Sequence, residues 1–255
     1  MVKKVNDHKL VSGKGGDSLK NVTTFGCIWI VAMLFTAVPV WSYQETNVSN
    51  GGTITGTIIY KGSIPTRKIV PTKDTAHCGG VRDDPLIITG PGDGAKFTVV
   101  YLKDIKKGKA WDKTAKTPQI NNLKCRFVPH VQAVPVGSKL EILNSDPVLH
   151  NTHGFLGKKT IFNVALPFKD AKVKRPLRRT GIVRVECDSH GWMRGWIYVA
   201  DNPYYAVTND KGKFIIKNIP PGQYNVVIWQ EHTGTIEKTV TVKAKETVSM
   251  DMEIK

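Results

Sequence analysis

The chain has 255 residues, 40% of them hydrophobic and 23% charged. That length and balance fit one large or two modest domains with real cores, and they exclude a disordered or fibrous protein. The 37 Lys+Arg against 21 Asp+Glu give +16. The first 44 residues hold five lysines and two aspartates, so +13 belongs to residues 45–255. An excess of that size calls for solubility or for an acidic partner: an anionic membrane, a cell-wall polymer or an acidic redox protein. Nucleic acid is set aside, because the chain carries no stacking or groove-reading motif.

Lys3, Lys4, Lys9, Lys14 and Lys20 precede an apolar run from Phe25 to Trp41. A positive segment, an apolar segment and small residues before Tyr43 form the pattern of a secretory signal. Seventeen apolar residues also reach the lower limit of a spanning helix. Residues 1–44 are therefore read as a signal peptide or an uncleaved anchor, with the rest exported to a periplasmic or extracellular location.

Beyond this, short runs rich in Val, Ile, Thr and Tyr alternate with turn residues, predicting an all-β chain. In order they are 53–60, 96–102, 138–144, 181–187, 196–200, 213–218, 223–229 and 236–242. NDKG at 209–212 predicts a turn, and Pro221-Gly222 suits the centre of a type II turn. The runs at 51–117 and 203–255 are each too few for a sandwich. Together they make one discontinuous β-domain with 118–200 inserted; a tandem order is the alternative.

Export leaves three cysteines. Three pairings exist, and the economical one is a Cys78–Cys125 disulfide with Cys187 free. Cys187 closes the run GIVRVEC, in which Val183, Val185 and Cys187 share a face opposite Arg184 and Glu186. His190 and Met193 follow at once. Thiolate, imidazole and thioether are three of the four ligands of a mononuclear blue copper site, whose second histidine comes from elsewhere. VGSKLEILNSDPVLHNTHGF supplies His150, with His153 as the competing choice. His130 is read as structural and His232 as a surface residue.

VGSKLEILNSDPVLHN and GIVRVECDSHGWMRGWIYV resemble the two copper-binding segments of the cupredoxin (plastocyanin-like) family. The resemblance implies a Greek-key β-sandwich holding one type 1 copper, with His150, Cys187 and His190 in the plane and Met193 axial. Asn151 would steady the loop beside the thiolate. The two-residue step from His190 to Met193 is shorter than plastocyanins usually have. ITGTIIYKGSIP and VTNDKGKFIIKNIPPGQYNVVIW resemble the carboxypeptidase-regulatory, transthyretin-like (prealbumin-like) β-domain, a smaller sandwich without catalytic residues.

Between His150 and Cys187 lie Lys158, Lys159, Lys169, Lys172, Lys174, Arg175, Arg178 and Arg179, against Asp170 alone. They read as a solvated loop or as a docking surface near the copper for an acidic redox protein such as a cytochrome. The expected function is one-electron transfer without catalysis. A metal-free β-sandwich binding glycan or protein is the alternative, and a copper enzyme a third reading.

Overall fold

The computed structural model describes residues 43–255, which lie in one compact unit. The apolar run Phe25–Trp41, read above as signal or anchor, lies outside the described residues. Among the described residues no helix is long and apolar enough to cross a membrane. The chain is all-β, built as two sandwiches.

The first sandwich packs a four-stranded sheet on a five-stranded one. The four-stranded sheet runs Lys172–Pro176, Lys139–Asn144, Gln119–Leu123, Arg126–Val128. The five-stranded sheet runs Lys159–Leu166, His150–Leu156, Gly181–Glu186, Arg194–Ala200, Val131–Pro135. Successive strands cross repeatedly from one sheet to the other, the Greek-key habit. Two neighbouring pairs are parallel, Lys139–Asn144 with Gln119–Leu123 and Arg194–Ala200 with Val131–Pro135. Alternation drives the burial: Leu140 and Ile142, and Val183 and Val185, point into one core with Ile120, Phe127, Leu166 and Ile197.

The second sandwich uses strands from both sides of the first. Gly52–Tyr60 pairs with Lys213–Ile219 on one edge and with Thr247–Ser249 and Met252–Ile254 on the other. Val99–Lys103 lies between Tyr205–Val207 and Gly222–Gln230, which continues to Gly234–Val242. Ile54, Ile58 and Tyr60 alternate inward onto Leu102, Phe214, Val226 and Ile228. Gly212 (φ +69) is required where it stands, since a Cβ there would lie 2.1 Å from the Ile58 carbonyl.

Three expectations are corrected. Gly222 begins a strand and has no positive φ, so Pro221-Gly222 is not the centre of a type II turn. The corner is relieved instead at Asn218 (φ 62), where the register with Gly52–Tyr60 shifts. The basic stretch after Lys158 is not a solvated loop but contains the strands Lys159–Leu166 and Lys172–Pro176. Its β-branched and apolar residues are spaced by two, but charged outer residues mask the alternation. Cys187 lies one residue past its strand and is still buried.

The sandwiches meet through aromatic faces. Tyr101 stacks on Tyr198 at 4.3 Å and Trp196 meets Trp229 edge-on at 5.1 Å. Glu231 accepts a 2.7 Å bond from Trp196 Nε1 and pairs with His130, giving His130 the structural role read from sequence. Burial pushes the Glu231 carboxyl up, but the bonds from His130 and Trp196 outweigh it and hold it below its ordinary value. Its stabilising contribution is therefore present above the unfolded value of about 4.3 and is lost as pH falls through the folded one. Glu231→Gln is expected to cost about 1–3 kcal/mol at neutral pH. It should also flatten the acid limb of a stability-versus-pH curve measured by urea unfolding.

Candidate metal centre

The centre forms where two strand ends approach. The first is Asn144, the last residue of Lys139–Asn144. Its Nδ2 donates to the carbonyls of Val148 and Leu166 at 3.0 Å each, and its Oδ1 accepts from the Asp146 N–H at 3.0 Å. These bonds fix the Asn-Ser-Asp-Pro turn and set His150 as the first residue of the next strand. The second end is Glu186, followed by two tight turns. The His190 N–H bonds the Cys187 carbonyl at 3.2 Å and the Met193 N–H bonds the His190 carbonyl at 2.9 Å. That double turn folds the short step from His190 to Met193 back into the core.

His150, Cys187 and His190 are brought together, all buried, with their ligand atoms within 4.8 Å of one another. The two Nδ1 atoms are 3.0 Å apart and each lies 3.8 Å from Cys187 Sγ. An ion with bonds of roughly 2.0 Å to nitrogen and 2.3 Å to sulfur fits inside a triangle of that size. Met193 is buried in the same apolar cluster as Cys187. His153 is not part of the group. Three residues on from His150, it lies on the opposite face of the strand. There it pairs with Asp188 at 3.0 Å and with Thr160 at 2.8 Å.

Hydrogen bonds decide which ring nitrogens face inward. His150 Nε2 meets Asp146 Oδ2 at 2.9 Å, and His190 Nε2 meets Asp74 Oδ2 at 2.9 Å. An ionised carboxylate only accepts, so each Nε2 carries the proton and each Nδ1 lone pair points to the centre. Burial also lowers both imidazole pKa values, against the pull of Asp146 on His150 and Asp74 on His190. The rings are thus neutral donors, as a metal requires.

Asp146 is 1% exposed at its side chain and fully used. It accepts from the Lys124 N–H at 2.7 Å, the Cys125 N–H at 2.8 Å and His77 Nε2 at 2.9 Å, besides His150. Burial pushes its carboxyl up, and these donors bring it below the ordinary range. Burial likewise pushes the Cys187 thiol up, while the N–H groups of Asn151, His190 and Ser189 favour the thiolate. The Asn151 N–H reaches Sγ at 3.4 Å. The Asn151 side chain takes the Ser189 N–H at 3.2 Å and donates to Asp188 at 2.6 Å, so it braces the loop beside the sulfur.

Asp74, His77 and Asp146 were not singled out from sequence. Asp74 precedes the one-turn helix Thr75–Cys78 without a side-chain capping bond, His77 lies within that helix, and the structure joins Cys78 to Cys125. That disulfide delivers the helix to the centre. A second group, His77, Cys125 and Asp146, also clusters, but the Cys125 sulfur is already bonded in the disulfide.

The eight cations do not form one surface. Antiparallel pairing puts Leu166 beside His150 but Lys159 beside Leu156, and Lys172 beside Leu143 but Pro176 beside Lys139. Lys169 and Lys172 therefore lie at the metal end. Lys158, Lys159, Arg175, Arg178 and Arg179 lie toward the other. Lys174 pairs with Glu141 at 3.6 Å.

A search of curated proteins finds no match to this chain. One family model, polysaccharide lyase family 4, domain II, matches residues 180–250. It is a different family from the carboxypeptidase-regulatory one that the terminal segments resemble. It spans the last two strands of the first sandwich and much of the second. Similar solved structures include a purple cupredoxin from Nitrosopumilus maritimus, 24% identical over 32% of this chain and 99% of that one, with TM-score 0.29. The amicyanin of Paracoccus versutus is 20% identical over 35% of this chain and 86% of its own, with TM-score 0.31. A copper-containing nitrite reductase from Thermus scotoductus is 19% identical over 39% of this chain, with TM-score 0.31, and the match spans 25% of that enzyme.

Proposed function

We propose that the chain is an exported type 1 copper protein that carries single electrons. The observation that supports this most is the buried triangle of two Nδ1 atoms and one Sγ, with both Nε2 atoms tied to carboxylates. Copper supplies the one-electron couple. Soft sulfur and imidazole ligands serve both of its oxidation states. The chain's part would be to hold His150, Cys187 and His190 fixed and to keep water out, with the buried Met193 as the candidate fourth, thioether ligand. A site filled by His150, Cys187, His190 and Met193 would leave no position for a substrate, which favours a carrier over an enzyme.

An acidic redox protein such as a cytochrome is the proposed partner, meeting the metal end where Leu149 and Phe168 are exposed beside Lys169 and Lys172. Electron transfer should then weaken as salt rises. The match to a polysaccharide lyase module favours a second reading for residues 203–255, a β-sandwich that binds glycan or protein without metal.

Visible absorption after adding Cu(II) tests the main reading. An intense thiolate-to-copper band near roughly 600 nm is expected for such a site. Cys187→Ser should abolish it while leaving the fold intact. A colourless protein whose melting temperature ignores copper would favour the metal-free module.

A further inference from the structure

The cations left over at the end away from the metal centre form a built surface. Lys159, Arg175, Arg178 and Arg179 line a single cleft of about 370 Å³, with Lys158 on the adjoining turn. Among the described residues none of the five has a carboxylate within 4.0 Å, whereas Lys174 next door is paired. Like charges gathered without counter-charges repel one another, and an anionic surface removes that cost. The cluster lies about six strand residues from His150, roughly 20 Å along the sandwich.

The same pole is where the described chain starts. Tyr43 shares a cleft with Val136 and Asp201. The Val136 N–H bonds the Ala200 carbonyl at 2.8 Å, and the Gly137 N–H bonds the Leu177 carbonyl at 2.7 Å, one residue before Arg178. In sequence, Tyr43 closely follows the apolar run Phe25–Trp41 and its preceding lysines. The start of the described chain and an unpaired basic cluster thus share one end, and the candidate metal ligands lie at the other.

We infer that this pole is a contact surface for an anionic lipid bilayer, which leaves the metal centre facing away from the membrane. Phospholipid phosphates supply the anions, with Arg175, Arg178 and Arg179 suited to pair with them by forked hydrogen bonds. The inference concerns a surface remote from the centre and does not depend on copper.

Vesicle co-sedimentation tests it. Residues 43–255 hold both cores and every described strand pairing, so they are tested without the apolar run. Binding is expected to phosphatidylglycerol-rich vesicles, to fall with salt, and to be weak on pure phosphatidylcholine. Changing Lys159, Arg175, Arg178 and Arg179 to Gln should weaken it about a thousandfold at low salt. Changing Lys211, Lys213, Lys217 and Lys238 to Gln removes equal charge from the other sandwich and should change it little. Circular dichroism checks that both variants fold. Equal binding to both lipids, or equal loss in both variants, overturns the inference. So does retention on soluble polyphosphate with no vesicle binding, which would assign the pole to a free polyanion.

Discussion

Asp146→Ala is expected to be the most damaging single substitution in the chain. One buried carboxylate satisfies two backbone N–H groups and two histidines. Its removal leaves four donors without a partner, at about 1–3 kcal/mol each where they stay dry. Relaxation and entering water recover part, so a loss on the order of 4 kcal/mol is expected from denaturant unfolding. Asp146→Asn should do little better, because its amide NH₂ turns donors toward donors. Metal affinity is a separate readout. With no carboxylate on Nε2, His150 loses its fixed tautomer and orientation, and affinity for copper should fall about 10–100-fold. A variant that keeps wild-type stability and wild-type copper affinity would show that Asp146 does not organise the centre.

The Cys78→Ser, Cys125→Ser double variant comes second. The disulfide closes a loop with a sequence separation of 47. Constraining an unfolded loop of that length is worth about 4 kcal/mol on the chain-entropy view. Its loss should appear as a lower unfolding midpoint, and dithiothreitol should reproduce it in the native protein. A second effect is local. Asp74 and His77 depend on this bond for their approach to His190 and Asp146. The double variant and Asp74→Ala should therefore shift the visible spectrum of the copper-loaded protein in the same direction. Asp74→Ala should do so with little change in global stability, since Asp74 is exposed. If the double variant lost stability but left the spectrum untouched, the tether would be a staple only.

Where alternation was clean, the sequence was a good guide to strands. TITGTIIY and KLEILN place one apolar residue every second position, and the observed strands start and end within a residue or so of those runs. The strand Val131–Pro135 and the edge strand Lys172–Pro176 went unread. Both end on a proline and the second carries three cations, so pairing to a neighbour rather than local pattern makes them strands. The centre divides the same way. Cys187, His190 and Met193 stand together in sequence because two consecutive turns hold them. His150 was visible through the turn before it, yet only the strand's alternation separates it from His153. Asp74 and Asp146 were opaque, because a carboxylate's role depends on which ring nitrogen it meets in space. The basic segment was legible as charge but not as place, since its strands Lys159–Leu166 and Lys172–Pro176 lie in different sheets, and their pairings bring both ends of the segment to one pole and its middle to the other.

The pairing of Gly52–Tyr60 with Lys213–Ile219 has a consequence for how the chain is made. Its first long strand is synthesised about 150 residues ahead of the strand it pairs with. At roughly 5–20 residues per second that interval lasts on the order of ten to thirty seconds. Throughout it, a nine-residue β-prone stretch lacks its sheet partners, and by its end every strand of the intervening sandwich has been made together with its neighbours. The chain order thus lets the middle sandwich complete its pairings before the outer one can. The nascent chain is most exposed to misassembly, and most in need of a holding chaperone, just before its last strands emerge.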